Sequence, residues 1–242
     1  MMNFNDLDLT NKTVLEVGTD RGGTTIELAK ILKNFKGAKL ITTDIYDGNF
    51  DSVRESLKEY ELDIKFIKTD GCILEGIKGN SIDFLVCNYT LCAINSKSGS
   101  EVLALKRFKE VLKPKGILYI GEEYPIDIAT TPMEEIWSRK WQLLRAAKMI
   151  LGELPFNEIA PEILEKQLKI LGFKNIEWEK ETNEILGENC LEFFYHRFSK
   201  VLDKLNNKAL IDGLKEEAKR LQIQANEAGG MEIPSYKMIA FK

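Results

Sequence analysis

Three acidic residues in the N-terminal half have the type and position needed to bind a polar ligand. Glu16 lies two positions before Gly18, and Asp44 and Asp70 each end one of the next two β-rich runs. Because a carboxylate is a pure hydrogen-bond acceptor, Asp44 is placed to bind two ribose hydroxyls and Asp70 to reach an adenine amino group. We expect a ligand with a ribose, an adenine and a cationic amine, since Glu16 would repel a pyrophosphate.

A glycine-rich turn lies beside the first of these acids. The stretch Val14–Gly23 follows a predicted strand and opens a predicted helix. Its glycines let the backbone turn sharply and let a ligand approach closely, and the helix N-terminus adds N–H donors and a partial positive charge. Such a turn at the carboxyl end of a parallel sheet is typical of sites for nucleotide-like ligands, although dinucleotide enzymes use similar glycine spacing.

The elements that must position these residues alternate up to about residue 120. Short β-rich runs alternate with helical periodicity, which predicts a parallel sheet built from βαβ units. In such a sheet the carboxyl ends of the strands lie at one edge, so the three acids would meet there. The predicted strands are 13–17, 39–43, 64–68, 82–87 and 116–120, and the predicted helices are 24–35, 50–60 and one that carries Val102, Leu105, Phe108 and Leu112.

The C-terminal half is predicted to be mainly helical. Two stretches of it, about 130–160 and 189–228, have no role in closing a minimal sheet, and we predict that they form a lid that selects the substrate. The predicted helices are 133–151, 162–171, 189–205 and 208–227, and the predicted strands are 173–180 and 236–241.

The composition of the chain argues against several classes of partner. The net charge of −4 gives no electrostatic footprint for nucleic acid. The four cysteines form no Cys-x-x-Cys pair and the chain has one histidine, so we expect no metal site. With no secretory signal and no apolar stretch of membrane-spanning length, we expect a cytoplasmic protein that does not enter a membrane. An exposed aromatic helix face could support a homodimer.

Five segments together resemble the motifs of the class I S-adenosylmethionine-dependent methyltransferases. Glu16–Gly22 is similar to the family's first motif, an acid followed by alternating glycines. Asp44 resembles the family's ribose-binding acid, and Thr69–Gly71 resembles its adenine-side motif. The stretches 82–88 and 112–116 resemble its fourth-strand motif and the turn before its fifth strand.

The resemblance covers about residues 10–125 and implies the fold and cofactor of the family. The fold would be α/β and Rossmann-like, with a seven-stranded, mostly parallel sheet, an antiparallel last strand at Ser235–Lys242, and helices on both faces. The chain would form a single methyltransferase domain, 1–242, that binds S-adenosyl-L-methionine in its first half. The residues expected to bind the cofactor are Glu16, Gly18, Thr19, Asp20, Gly22, Asp44, Ile45, Asp70, Gly71 and Asn88.

The sequence departs from the patterns of the family at two places. Asp20 replaces the middle glycine, so we expect the turn to sit slightly further from the methionine portion of the cofactor, with Gly23 in partial compensation. Asn88–Leu91 lacks the Asn-Pro-Pro-Tyr sequence of enzymes that methylate amino groups of nucleobases or glutamine. No acid cluster follows the fourth strand, which counts against the metal-dependent catechol branch.

The implied activity is methyl transfer to a small-molecule acceptor by in-line displacement. Because a sulfonium methyl is already activated, the protein mainly has to place the nucleophile in line with the breaking bond. A general base is needed only where the nucleophile carries a proton. The candidates for catalytic contact are Tyr89 after the fourth strand, Glu122 (with Glu123 beside it) after the fifth, and His196.

The sequence leaves other functions open. A nicotinamide-dependent oxidoreductase would share the fold, but Glu16 and the Gly18-x-x-x-Gly22 spacing count against it. A non-catalytic S-adenosylmethionine-binding or partner subunit fits the fold as well, as does a methyltransferase for protein or RNA. Trp137 and Trp141, four residues apart, would share one helix face and either wall a substrate pocket or anchor their helix on the sheet.

Overall fold

The computed structural model describes residues 7–97 and 99–242, which form a seven-stranded sheet surrounded by helices. The strands are β1 (Thr13–Val17), β2 (Lys39–Asp44), β3 (Asp63–Lys68), β4 (Ile82–Asn88), β5 (Leu112–Glu123), β6 (Lys174–Leu186) and β7 (Gly230–Phe241). The α-helices are α1 (Gly23–Leu32), α2 (Phe50–Ser56), α3 (Leu91–Ile94), α4 (Ser100–Val111), α5 (Pro132–Ile150), α6 (Pro161–Ile170), α7 (Glu192–Leu202) and α8 (Lys208–Ala228).

The sheet has the strand order β3-β2-β1-β4-β5-β7-β6. β1 pairs in parallel with β2 and β4, β2 pairs in parallel with β3, and β4 pairs in parallel with β5. β7 is antiparallel to β5, because the N–H of Lys242 donates to the carbonyl of Gly116 and the N–H of Tyr124 to that of Pro234. The predicted α/β sheet with an antiparallel last strand is confirmed. Its order reverses between β1 and β4, where sheets of this kind bind ligands.

The centre of the sheet is apolar. All four side chains of Phe84–Cys87 in β4 are buried, as expected of a parallel strand with both faces covered. Leu28 and Leu32 of α1 pack against Val14 of β1 and Leu40 of β2. Since burying one such side chain contributes about 1.5–3 kcal/mol, this packing holds the carboxyl ends of the strands in place.

The observed elements differ from the predicted ones mainly at their ends. α4 ends at Val111 rather than Leu112, because Leu112 has an extended backbone and begins β5. Val102 lies on this helix as predicted, and its side chain is exposed. The helix predicted from residue 189 starts as a 3-10 turn and becomes α7 only at Glu192.

The last two strands are longer than predicted. β6 continues to Leu186 and β7 starts at Gly230. Because β6 lies at the edge of the sheet and most of its side chains are exposed, its sequence lacks the apolar alternation that marks a half-buried strand. Gly230 has φ 149, and a Cβ there would lie 2.5 Å from the carbonyl oxygen of Ile185, so this pairing requires a glycine.

The described residues divide into two compact units. Unit 1 contains the chain up to Glu122, together with Ala160–Glu179 and Lys237–Lys242, and unit 2 contains Glu123–Ile159 and Lys180–Tyr236. Unit 1 holds β1 to β4 with α1 to α4 and α6, whereas unit 2 holds α5, α7 and α8. Within unit 2, α5 packs against both α7 and α8. The two segments predicted to form a lid, 130–160 and 189–228, lie in unit 2 except for the last residue of the first segment. The single-domain arrangement of residues 1–242 stays a prediction.

Residues 7–97 and 99–242 provide neither a membrane-spanning helix nor a cluster of metal-ligating side chains. No helix in these ranges is both long and apolar enough to cross a membrane. Nor do these ranges contain a group of three His, Cys, Asp or Glu side chains arranged to hold a metal ion.

Candidate functional site

The turn between β1 and α1 is hydrogen-bonded to the end of β2. The N–H groups of Gly18 and Thr19 both donate to the carbonyl of Thr43, at 2.8 and 3.1 Å. Gly18 has φ 96, and a Cβ there would lie 2.0 Å from Thr90 Oγ1, so the position requires a glycine. Gly22, with φ 84, is the N-cap residue of α1. The helix therefore begins at a turn whose backbone is bare at both glycines.

Asp20 occupies the position of the middle glycine and has a left-handed backbone conformation, φ 42. Aspartate adopts this conformation more readily than most residues because its short side chain can hydrogen-bond locally. The N–H of Asp20 donates to Asp44 Oδ2 at 2.9 Å, which ties the turn to the end of β2. The expected displacement of the turn from a cofactor stays a prediction.

The carboxylate of Asp44 is fixed by two backbone donors. Oδ2 accepts the N–H of Asp20, and Oδ1 accepts the N–H of Tyr46 at 2.9 Å. Each oxygen keeps a lone pair for a further donor. Asp44 is half-buried, and the side chains of Ile45 and Tyr46 that follow it are exposed. The arrangement suits a pair of neighbouring hydroxyl groups.

Asp70 and Gly71 follow β3 beside the end of β2, because the N–H of Thr69 donates to the carbonyl of Asp44 at 2.8 Å. Asp70 Oδ1 accepts the N–H of Cys72 at 2.8 Å, which orients its carboxylate. A Cβ at Gly71 would lie 2.8 Å from Ile94 Cδ1, so the backbone here is packed closely. Asp44 thus ends β2 and Asp70 follows β3, the adjacent parallel strand, in line with their spacing in the sequence.

Exposed apolar side chains also follow the strand ends of unit 1. Ile45 and Tyr46 follow β2, Ile73 follows β3 and Tyr89 follows β4, and each is among the exposed large apolar residues. Isolated exposed apolar residues are ordinary on protein surfaces. Here, however, they accompany acids and a glycine turn at the carboxyl ends of successive strands, which suits a ligand with a flat apolar portion.

Glu16 lies beneath the turn rather than at its surface, with a side chain that is 1% exposed. Its Oε2 accepts hydrogen bonds from the hydroxyls of Thr25 and Thr42, at 2.7 and 2.6 Å. Because Thr42 uses its proton on Glu16, the hydroxyl of Thr19 must donate to Thr42 across their 2.6 Å contact. Burial raises the pKa of Glu16 to about 7, although both threonine hydroxyls oppose the shift. Glu16 therefore reaches the turn through a chain of threonine hydroxyls.

Asn88 and Tyr89 mark the carboxyl end of β4. Asn88 Nδ2 donates to Thr24 Oγ1 at 3.0 Å, which joins this strand end to the first turn of α1. Tyr89 has φ 49 and a side chain that is 48% exposed, and its N–H donates to the carbonyl of Gly121 at 2.7 Å. A non-glycine residue with this backbone is often found at functional sites. Asn88 is thereby joined to α1 just after the glycine turn, and the roles expected of Asn88 and Tyr89 in the site stay predictions.

Glu122 is buried at the end of β5, with a side chain that is 2% exposed. Its Oε1 accepts the N–H of Cys92 at 3.1 Å, in the first turn of α3. Burial raises the pKa of the neighbouring Cys87 thiol well above its usual value, and the charge of Glu122 adds to the shift. In this position Glu122 stabilises the segment that follows Tyr89, and a catalytic role for it stays a hypothesis.

Glu123, the next residue, belongs to unit 2 and binds two tryptophans of α5. Its Oε2 accepts the indole N–H groups of Trp137 and Trp141, at 2.8 Å each. Trp137 is fully buried and Trp141 is half-buried. Both indole donors meet on one carboxylate oxygen because the two residues are one helical turn apart.

His196 lies on α7 in unit 2 with an exposed side chain. Its carbonyl accepts the hydroxyl of Ser199 at 3.2 Å. Within unit 1 the structure brings together the turn residues, Asp44, Asp70 and Asn88, whereas His196 belongs to unit 2. A catalytic role for His196 stays a hypothesis.

Sequence reasoning missed the threonines that connect Glu16 to the turn. Thr25, Thr42 and Thr43 are buried, and the hydroxyl of Thr43 donates to the carbonyl of Glu16 at 2.9 Å. A signal existed in the sequence, because Thr42 and Thr43 interrupt an apolar strand that must be covered by helices. Buried hydroxyls require partners, and the buried Glu16 supplies them.

The chain matches known proteins in sequence over part of its length and in fold over nearly all of it. Residues 14–116 match the family described as a methyltransferase domain. No curated protein sequence matches the chain significantly.

Solved structures with a similar fold have low sequence identity to the chain. A putative methyltransferase from Bacillus halodurans is 13% identical, with a TM-score of 0.62, over 96% of this chain and 93% of that one. Phosphoethanolamine N-methyltransferase 2 from Haemonchus contortus, solved with phosphomonomethylethanolamine and S-adenosylhomocysteine, is 19% identical with a TM-score of 0.57. That match covers 96% of this chain, which spans about half (49%) of the nematode enzyme.

The fold by itself does not fix the reaction. The [4+2]-cyclase SpnF is 15% identical to the chain, with a TM-score of 0.58, over 96% of this chain and 75% of that one. One fold can host several chemistries, so the function has to be argued from the site.

Proposed function

We propose that this chain, which belongs to the class I S-adenosylmethionine-dependent methyltransferases, binds S-adenosyl-L-methionine at the carboxyl ends of β1 to β4 and methylates a small-molecule acceptor. The observation that carries the proposal is the carboxylate of Asp44. Backbone N–H groups fix both of its oxygens, and each keeps one lone pair for a hydroxyl of a ribose.

The residues present fit this cofactor. Side chains are excluded at Gly18 and Gly22, where a Cβ would lie 2.0 Å from Thr90 and 2.8 Å from Val53. The bare backbone of this turn suits the close approach of the methionine portion. Asp70 supplies a fixed acceptor for an adenine amino group, and the exposed side chains that follow β2 and β3 supply an apolar surface for its ring. The proposed binding residues are Glu16, Gly18, Thr19, Asp20, Gly22, Asp44, Ile45, Asp70, Gly71 and Asn88.

When bound, the cofactor supplies an activated sulfonium methyl with a neutral thioether as leaving group. The residues of the chain then have to orient the acceptor and exclude water. Asp44 and the glycine turn hold one partner of the reaction. Tyr89, exposed at the end of β4 with its backbone fixed to Gly121, is the residue that we propose contacts the acceptor.

A base is needed only for an acceptor that carries a proton at the reacting atom. Glu122 and His196 are the two candidates. If either removes a proton, replacing it lowers turnover but leaves the affinity for S-adenosylmethionine unchanged. His196→Gln keeps one hydrogen-bonding capacity of the imidazole, and Glu122→Gln keeps an acceptor for the N–H of Cys92.

A small molecule is favoured as the acceptor over nucleic acid. The net charge of −4 gives no long-range attraction for a polyanion. The Haemonchus enzyme of similar fold acts, by its name, on phosphoethanolamine, which is a small molecule. We also propose that the enzyme is cytoplasmic and that any oligomer it forms is a homodimer.

Calorimetric titration of the full chain tests the proposal. S-adenosylmethionine and S-adenosylhomocysteine are expected to bind at one site per chain, and NAD is expected not to bind. Binding of NAD alone would replace the proposal with an oxidoreductase. Binding of S-adenosylmethionine without methyl transfer to any of a panel of amines, thiols, hydroxyls and acidic metabolites would favour a non-catalytic subunit.

A further inference from the structure

Unit 2 contains a cavity of about 540 Å³ beside the end of α8. The first turn of α5 and the first residues of β7 meet the last turn of α8 there, and all of the lining residues belong to unit 2. Part of the lining is apolar and comes from Pro132, Met133, Ile136 and Ala228. A cavity of this volume can hold a small organic molecule rather than a single water.

Three carboxylates line this cavity and have no cationic partner in the chain. They belong to Glu135 of α5, Glu227 of α8 and Glu232 of β7. Within residues 7–97 and 99–242, none of the three forms an ion pair with a lysine or an arginine. Arg139, one helical turn after Glu135, pairs with Glu217 instead, at 3.8 Å. Since like charges disfavour each other, this excess of negative charge favours a cation in the cavity.

The carboxyl end of α8 adds to the negative potential. The peptide dipoles of a helix leave a partial negative charge at this end, where a basic residue is stabilising. The last turn of α8 contains no basic residue and carries Glu227. The amino end of α5, which also borders the cavity, is already capped, because Thr131 Oγ1 accepts the N–H of Glu134 at 3.0 Å. The two helix ends therefore favour a cation over an anion.

A buried acceptor on α8 indicates what kind of cation fits. Gln224 lines the cavity, and its Oε1 is buried and accepts no hydrogen bond from the part of the chain that the structure describes. Leaving a buried acceptor without a donor is unfavourable, so an N–H group from a ligand would be stabilising. A metal ion fits less well, because no three acidic, His or Cys side chains of the described ranges are arranged to hold one.

We propose that this cavity binds a small aliphatic ammonium ion, whose N–H groups donate to Gln224 Oε1 and whose charge is balanced by Glu227 and Glu232. Ammonium groups form strong charge-assisted hydrogen bonds, and the apolar side chains of the lining cover the alkyl portion. The hydroxyl of Thr131 donates to Glu232 Oε2 at 2.8 Å, which orients this carboxylate. The inference goes beyond the proposed function and does not rest on it.

The experiment is a calorimetric titration of the full chain with butylammonium, tetramethylammonium and butyrate, at constant ionic strength and without a methyl donor. We expect butylammonium to bind at one site per chain and butyrate not to bind. Tetramethylammonium carries the same charge but no N–H group, so it should bind about tenfold more weakly or less. If butylammonium does not bind, or if butyrate binds as tightly, the proposal is wrong.

Gln224→Leu locates the acceptor. This substitution removes Oε1 at similar side-chain volume, and it is expected to weaken the binding of butylammonium about tenfold and to leave that of tetramethylammonium unchanged. Thermal unfolding should show equal or higher stability, because a buried acceptor without a donor is lost. Unchanged affinity for butylammonium in this variant would overturn the assignment.

Glu227→Gln tests the charge at an exposed position where the fold should tolerate the change. It is expected to weaken the binding of both cations about two- to fivefold, the effect of losing one partly exposed ion pair. Glu216→Gln, at an exposed position of α8 outside the lining, is the matched control and should bind as the unchanged chain does. An equal loss in both variants would show that the net charge attracts the cations, and would reject the site.

The outcome can be separated from that of the proposed function. Binding of butylammonium that depends on Gln224 supports the site even in a chain that transfers no methyl group. Conversely, binding of S-adenosylmethionine with no binding of butylammonium would leave the proposed function intact and reject the ammonium site.

Discussion

Among single residues, Glu16 is the one whose environment differs most from the expectation. We expected it to be one of three acids that together suit a polar ligand, and the structure buries its carboxylate against Thr25 and Thr42. Its position two residues before Gly18 could be predicted, because motif and spacing are properties of the sequence. Its burial could not, because it depends on Thr42 from another strand and Thr25 from the following helix.

The raised pKa of Glu16 makes the stability of the fold depend on pH. In the folded chain this pKa is about 7 against a usual value of 4.5, so between these values the folded state holds more protons than the unfolded state. The free energy of unfolding should therefore fall as the pH rises from 4.5 to 7, by about 3 kcal/mol in total from this group.

Glu16→Gln should remove this fall, which urea denaturation at pH 5 and pH 8 measures. Glu27→Gln, on the exposed side of α1, is the control and should keep the pH dependence of the unchanged chain. An equal pH dependence in all three proteins would contradict the account.

Asp44→Ala should weaken the binding of S-adenosylmethionine at least about a hundredfold, because two hydrogen bonds to a charged acceptor are lost. Calorimetry measures the affinity, and thermal unfolding shows whether the fold persists. Asp51→Ala is the matched control, since Asp51 lies on α2 with an exposed side chain. If the affinity of Asp44→Ala equals that of the control, Asp44 does not bind the ribose.

At the scale of elements, the junction of β1 and α1 depends on glycine at some positions and not at others. Gly18→Ala should destabilise the fold by about 1–3 kcal/mol and sharply reduce cofactor affinity. The new Cβ would meet Thr90 at 2.0 Å, in a backbone conformation that alanine rarely adopts. Chemical denaturation and calorimetry measure the two effects.

Gly23→Ala is the contrasting substitution. No atom lies within 4 Å of a Cβ built at Gly23, which opens α1 with an ordinary helical backbone. Alanine there should leave cofactor affinity unchanged and stability unchanged or slightly higher. A loss of binding as large as in Gly18→Ala would show that the turn tolerates no side chain anywhere, and that steric contact with Thr90 is not the cause.

The sequence predicted the elements of the first half well and those of the second half less well. β1 was predicted to the residue, because its apolar run is short and bounded by polar residues. α4 was predicted one residue too long, since Leu112 is buried whether it ends a helix or begins a strand. The spacing of Trp137 and Trp141 predicts that they share one face of a helix. It does not predict that both donate to Glu123, because the acceptor lies outside that helix.

At the scale of the whole molecule, the question is whether the two units unfold together. β5, β6 and β7 each contribute residues to both units. Unfolding of one unit would therefore break strands that continue into the other unit. We therefore predict a single calorimetric transition.

Saturating S-adenosylhomocysteine provides the test. At about a hundred times its dissociation constant a ligand adds about 2.7 kcal/mol to the free energy of unfolding, which corresponds to about 5–10 °C for a chain of this size. The whole transition should move by this amount. A second transition that stays in place would show that the units unfold independently.

The charge of the two outermost strands protects the sheet against unwanted growth. An open sheet exposes unpaired N–H and C=O groups along both borders, where a strand from another molecule can add. β6, at one border, carries six charged residues among thirteen, and β3, at the other, carries Asp63, Lys65 and Lys68. Addition of a strand from another molecule would bury these charges or bring like charges together, so the sheet resists templated aggregation. Any dimer of this chain should therefore form through helices.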